Sequence, residues 1–306
     1  MSYRLTMSQT PGDGLRRCAF EQLQEARGGL TQATAIDRAD AVHEARKSLK
    51  KTRSLLRLAR PVIGGKRYRV ANAALRDTGR TLSGTRDADV LVQVVDGLHE
   101  RYVGQLPASA FDGLRIGVDL AARPAARADD EDPVATAIAQ LGAIQDEVAG
   151  WKVDGATWTT VTDSLTRTYT RGRAELELVA ADPSVDARHD WRKRVKDLWY
   201  QQRLIAEAWE PVLVAEAEQA HLLSELLGDD HDLAVLHEAI ATGQVDAGAD
   251  AAAILALIDD RRDELLCDAL RLARRVYAES PKAFAKRRRT YVEVWADTQK
   301  AASAGI

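Results

Sequence analysis

The sequence predicts an all-α fold made of two similar helical bundles in tandem, and three observations carry that prediction. Apolar residues recur at three- and four-residue steps through most of the 306 residues, and no stretch alternates apolar and polar as a strand does. Ala, Leu, Arg, Glu and Asp are abundant while Phe numbers three and Pro eight, a composition that favours helix over sheet. A segment also recurs 146 residues further along the chain, which marks an internal duplication.

Residues 1–13 precede the first helical pattern and read as an N-terminal tail. Helices are expected near 14–34, 40–60 and 66–83, then near 87–101 and 108–123, with short Gly or Pro breaks between them. The next is expected near 133–149, opened by Pro133, and those near 157–181 and 185–208 meet at Pro183. Pro211 opens a helix near 211–228, Gly228 divides it from another near 232–242, and Pro281 separates the last two, near 249–278 and 282–301. The join between repeats falls in 125–155, so residues 14–300 form a single domain made of repeat 1 (about 14–130) and repeat 2 (about 150–300).

The shift of 146 aligns Asp40, His43, Arg46, Lys47, Leu49 and Lys50 with Asp186, His189, Arg192, Lys193, Val195 and Lys196. Each copy places Asp as an expected N-cap and His one turn into a helix. A second pair, LSGTRDADVL from Leu82 and LLGDDHDLAVL from Leu226, aligns with one residue of slip and sets Arg86 opposite His231.

Two stripes run along the first motif helix. Val42, Ala45, Leu49, Thr52, Leu56 and Ala59 form a mostly apolar face for packing. One position later, His43, Arg46, Lys50, Arg53, Arg57 and Arg60 line up over roughly 25 Å at about 1.5 Å rise per residue. Like charges at this spacing repel by a few tenths of a kcal/mol per pair, on the order of 1–2 kcal/mol for the stripe. Countercharge is therefore expected, from a neighbouring helix or from an extended polyanion. The second motif helix repeats the design with His189, Arg192, Lys196 and Arg203 beside an apolar stripe of Trp191, Val195, Leu198 and Ile205. Arg offers paired, directional hydrogen bonds to phosphate, and Lys offers a movable point charge. Arg76, Arg80 and Arg86 on and after the third helix, and Arg167, Arg171 and Arg173 before the second motif, are further candidates. The run from Lys286 to Arg289 is expected on an amphipathic closing helix, with some of its cations facing the groove.

Net charge is −3, yet Val42–Arg60 holds seven Lys or Arg against one acid, and residues 129–132 read DDED. Affinity for a polyanion follows such local fields and not the total. No apolar run has signal-peptide or membrane-span length, so a cytoplasmic protein without a membrane partner is expected. Cys18 and Cys267 are too few and too far apart for a disulfide framework or a zinc site.

The segment VHEARKSLKKTRSLLRL resembles the first signature of the conserved histidine α-helical (CHAD) family, with His43, Arg46, Lys50, Lys51 and Arg53 at its characteristic positions. GTRDADVL from Gly84 resembles the companion motif, and HDWRKRVKDLWYQ from His189 and LLGDDHDLAVL from Leu226 resemble the second-repeat signatures. The resemblance covers about 14 to 300. It implies two four-helix-type bundles related by a pseudo-twofold axis, with a basic central groove or channel that binds inorganic polyphosphate. The family is a binding module, which implies no catalytic residue, cofactor or metal, and polyphosphate granules are a location consistent with such a ligand. The chain departs from the pattern at Trp199, where Arg is usual, at Asp197, an acid within the basic helix, and at Lys50 and Lys51, which stand for Arg.

Two other readings use the same residues. Asp190 with His189, and Asp229, Asp230 and Asp232 with His231, suggest a His-Asp metal phosphohydrolase, which needs His and carboxylates converging on a metal. Basic faces also suit a nucleic-acid backbone, although Tyr68, Tyr169 and Trp199 are expected to pack at helix crossings.

Overall fold

A computed structural model of the chain describes residues 3–34, 36–82, 87–121 and 132–303. It is all-α. The helices are α1 (Pro11–Gln32), α2 (Arg38–Ile63), α3 (Gly65–Thr81), α4 (Asp87–Arg101), α5 (Ala108–Ala121), α6 (Pro133–Ala149), α7 (Trp158–Ala181), α8 (Val185–Leu204), α9 (Glu210–Ala241), α10 (Ala251–Val276) and α11 (Pro281–Ser303). Short 3-10 turns lie at Ala206–Trp209 and Gly248–Asp250, and no strand occurs among the described residues. No described helix is long and apolar enough to cross a membrane.

Local chemistry sets the boundaries. Thr10 Oγ1 accepts from Asp13 N at 3.1 Å ahead of Pro11, Asp132 accepts from Val134 N at 3.0 Å ahead of Pro133, and Thr157 forms a capping box with Thr160. The N-caps expected at the motif aspartates fall elsewhere. Asp37 occupies the cap position of α2, and Ser184 caps α8 by accepting from Ala187 N, while Asp40 and Asp186 sit in the first turns. Their carboxylates face the positive end of each helix dipole, which favours acids there without a cap bond.

Gly228 does not break a helix. Residues expected as two helices form one 32-residue helix, α9, in which a Cβ at Gly228 would stand 3.0 Å from Arg192 Nη2. The glycine serves close packing, not termination. Likewise α2 runs through Pro61 and stops at Gly64, whose φ of 85° lies where a side chain is strained.

The N-terminal segment expected as a tail is seated on the helices. Leu5 N donates to Leu204 O at 2.8 Å, the Tyr3 hydroxyl donates to Lys51 O at 3.1 Å, and both side chains are buried. Packing burial outweighs the entropy of ordering so short a stretch because Leu5 is fully enclosed.

Neighbour relations recur along the chain. α1 packs on α2, α2 on α3, and α6 on both α1 and α3; further on, α7 packs on α8, α8 on α9, α9 on α10, and α11 on α7. α2 also meets α7 and α8, which ties the two halves together. The apolar cores do not follow the halves of the sequence. The larger draws on α1, α2, α3, α6, α7, α8, the first part of α9 and the ends of α10 and α11 nearest each other. The smaller is built from α4, α5, the last part of α9 and the first part of α10.

Candidate anion-binding site

Periodicity positions the basic side chains. All six residues of the apolar stripe of α2, from Val42 to Ala59, are buried, and this turns the adjacent stripe toward α8. There a cavity of about 660 Å³ is lined by His43, Arg46, Lys50, Arg53 and Arg57 of α2. The opposite wall is α8, with His189, Arg192, Lys193, Lys196, Asp197 and Tyr200; α9 adds His231, Asp232 and Val235, and α4 adds Val90 and Leu91. Seven Lys or Arg thus face two carboxylates in one open space.

Several of these cations are held from behind. Arg46 Nη1 donates to Leu82 O at 3.1 Å, closing the end of α3, and Arg53 Nε donates to Asn72 Oδ1 at 3.1 Å. Arg57 Nη1 reaches Arg53 O at 2.9 Å and Asp197 Oδ1 at 3.1 Å, while Arg194 approaches Asp197 Oδ2 at 3.3 Å. Burial raises the Asp197 carboxyl pKa against the opposing pull of Arg57, Arg194 and Arg53. Beside it Gln201 Nε2 donates to Ser54 O at 3.1 Å and Ser54 Oγ to Asp197 O at 3.2 Å, pinning α8 to α2. These bonds pre-orient donors, so little side-chain freedom remains to be lost when an anion arrives.

The histidines sit in this positive field. The rings of His189 and His231 lie 4.5 Å apart at 31°. Burial, then Arg192 and His189, push His231 down to about 4; burial, Lys193 and Arg192 also lower His189. Both rings are therefore neutral near pH 7. His189 Nδ1 and Arg192 Nε are buried without a hydrogen-bond partner, and burial also depresses the Arg192 guanidinium.

The remaining sequence candidates lie outside this cavity. Lys47 pairs with Glu44 at 3.2 Å, and Lys51 turns over the Tyr3 ring at 5.9 Å. Arg76 and Arg80 pair with Asp77, at 3.0 and 3.6 Å. Arg173 donates to Tyr277 O at 3.2 Å and Glu279 O at 2.6 Å. Arg203 lies 5.9 Å from the Tyr3 ring and 5.6 Å from the Trp199 ring. Arg167 and Arg171 line a separate cavity. Arg86 falls outside the described residues. The basic run of α11 does not face the groove: Arg287 and Arg288 pair with Glu216, Arg287 also with Glu279, and Arg289 with Asp163. Trp199 is a packing residue, stacked on Tyr200 at 4.5 Å with the His221 ring tilted against it at 3.8 Å, and it does not line the cavity.

Sequence reading missed Tyr200 as a lining residue, although it stands one turn beyond Lys196 on the same stripe. Val90 and Leu91 end the motif that begins at Leu82, but nothing local placed them at the cavity, because α4 meets α9 only through tertiary packing. Among the described residues no group of three or more His, Cys, Asp or Glu is placed to hold a metal ion. Asp230, one of the acids in the metal reading, is instead buried between Arg188 at 2.7 Å and Arg262 at 3.2 Å.

The architecture is all-helical, and two His-bearing basic helices face each other across one cavity. The sequence model of the CHAD domain matches residues 17–241, and the chain belongs to that family. The match ends with α9, so α10 and α11 lie beyond it. No curated protein matches the chain.

Proposed function

We propose that the cavity between α2 and α8 binds inorganic polyphosphate and that the protein is a binding module without catalytic activity. The observation that carries this reading is the gathering of seven Lys or Arg and three His around about 660 Å³ that only two carboxylates share. Such a space is costly to leave without countercharge, since like charges brought together repel. A flexible chain of phosphates supplies one charge per unit and can follow a stripe that single anions cannot span. The family supports the same reading, and the two matched motif helices supporting opposite walls fit a duplicated unit with approximate twofold symmetry.

A nucleic acid shares the phosphate chemistry but presents bases as well. Among the described lining residues Tyr200 is the one Phe, Tyr or Trp, and it is buried and stacked on Trp199, which leaves it poorly placed to stack on a base. The His189 and His231 rings stand among Arg192, Lys193 and Lys50, a field that repels a metal ion and attracts an oxyanion.

Calorimetric titration with long-chain polyphosphate, with equal phosphate equivalents of duplex DNA and of orthophosphate beside it, tests the reading. Polyphosphate is expected to bind tightly and the others weakly. Equal or stronger binding of DNA would replace polyphosphate with nucleic acid, and no binding of any would end the proposal.

A further inference from the structure

Arg57 lines two cavities. Besides the space described above, it borders one of about 610 Å³ formed by Arg60, Pro61, Gly64, Gly65 and Tyr68 where α2 turns into α3, by Ser164, Arg167, Thr168 and Arg171 of α7, and by Arg194 of α8. Five arginines face this space and no carboxylate lines it. Arg60 stacks on Tyr68 at 5.1 Å, and Arg167 Nη2 donates to Ser164 Oγ at 2.5 Å. Of the five, Arg57 and Arg194 pair with Asp197, and neither Arg60 nor Arg171 is paired with a carboxylate among the described residues. The guanidiniums come from three helices, and those of α2 lie more than one hundred residues from those of α7 and α8. Gly64 also opens α3 without a side-chain cap, so the first N–H groups of that helix remain available on the same wall.

Between the two cavities stands one small partition. Arg57 and Arg194 grip the Asp197 carboxylate from its two oxygens, at 3.1 and 3.3 Å. Arg57 faces both spaces, Arg194 the second and Asp197 the first. An anionic chain passing Arg57 therefore meets cations continuously along α2, from His43 to Arg60.

We infer that the second cavity is a separate phosphate subsite, formed by Arg60, Arg167, Arg171 and Arg194, which engages only chains long enough to continue past Arg57. This rests on the polyphosphate reading of the first cavity. It makes chain length a built-in selectivity: a short chain fills the first cavity alone, and a longer one gains contacts from both without a second binding event.

The test compares wild type with an R167A/R171A variant, using a chain of a few phosphates and one of about a hundred units. A second variant, R271A/R274A, removes the same charge from α10, away from either cavity. Long-chain affinity is expected to fall at least tenfold in R167A/R171A, with a log–log salt slope shallower by about two, one per lost phosphate contact. Short-chain affinity should stay within twofold, and R271A/R274A should match wild type with both chains. Unchanged long-chain binding in R167A/R171A overturns the second subsite while leaving the first intact. An equal loss for both chain lengths, or an equal loss in R271A/R274A, also overturns it. Absence of binding by wild type overturns both readings together.

Discussion

His231 reports on the field that the cavity creates. Burial and the surrounding cations hold it near 4, well below an ordinary histidine, so the unfolded chain takes up a proton first as pH falls. Stability contributed by neutral His231 is complete above about pH 6.5 and is lost as pH drops toward about 4. The urea midpoint of the free protein should therefore decrease between pH 7 and pH 5, and His231→Phe should flatten that trend. A bound polyanion reverses the local field and raises both imidazole pKa values. Binding should then take up protons, and affinity should rise as pH falls from 8 to 5.5. Titrations in two buffers of different ionisation enthalpy would reveal the uptake, and a flat affinity over that range would remove the histidines from the site. Lys50 and Lys196 occupy equivalent motif positions on opposite walls. Charge-assisted bonds contribute roughly 1.5–3 kcal/mol each, so Lys50→Ala with Lys196→Ala should weaken polyphosphate at least a hundredfold. Wild-type affinity in that double variant would make the stripe structural.

At the scale of elements, α2 was the most legible part of the chain and α9 the least. The stripe of α2 is a local property: apolar spacing alone determines which face turns inward, and the neighbouring face then lines the cavity from His43 to Arg57. On α8 the same logic held through Lys196 and then failed at Arg203. There the N-terminal segment covers the helix end and takes the guanidinium against Tyr3, a tertiary contact that no periodicity announces. In α9 a glycine followed by acids read as a break, but Asp230 is buried against Arg188 and Arg262, and Gly228 makes room for Arg192. Side chains of Arg188 and Asp230 are only 10% and 4% exposed. Asp230→Ala would leave the enclosed Arg188 guanidinium without countercharge and Arg262 with only Asp259 at 3.9 Å, a loss of about 3–5 kcal/mol. Chemical denaturation measures this directly. A change below about 1 kcal/mol would mean that the arginines reach water in the native state.

The whole molecule separates its charge instead of carrying an excess of it. With a net charge of −3, the chain still concentrates seven cations in one cavity and five arginines in the next. Local concentration of field, not net charge, governs attraction of a polyanion. Helical class and the matched motifs were readable because they depend on near neighbours in sequence. The division of the cores was not readable: whether α4 and α5 join the large core or build a small one with α9 and α10 depends on long-range packing. The stripe of α2 included Arg60, but its meeting with Arg194 was not readable for the same reason, since α2, α7 and α8 bring them together only in the fold.

The salt dependence of long-chain polyphosphate affinity tests the central claim most directly. Binding by the seven cations of the first cavity contributes on the order of −5 to the slope of a straight log–log plot, to which any contacts in the second cavity add, and removal of Lys50 and Lys196 makes the slope clearly shallower. A slope near zero, or one that the double variant leaves unchanged, would contradict polyphosphate binding between α2 and α8.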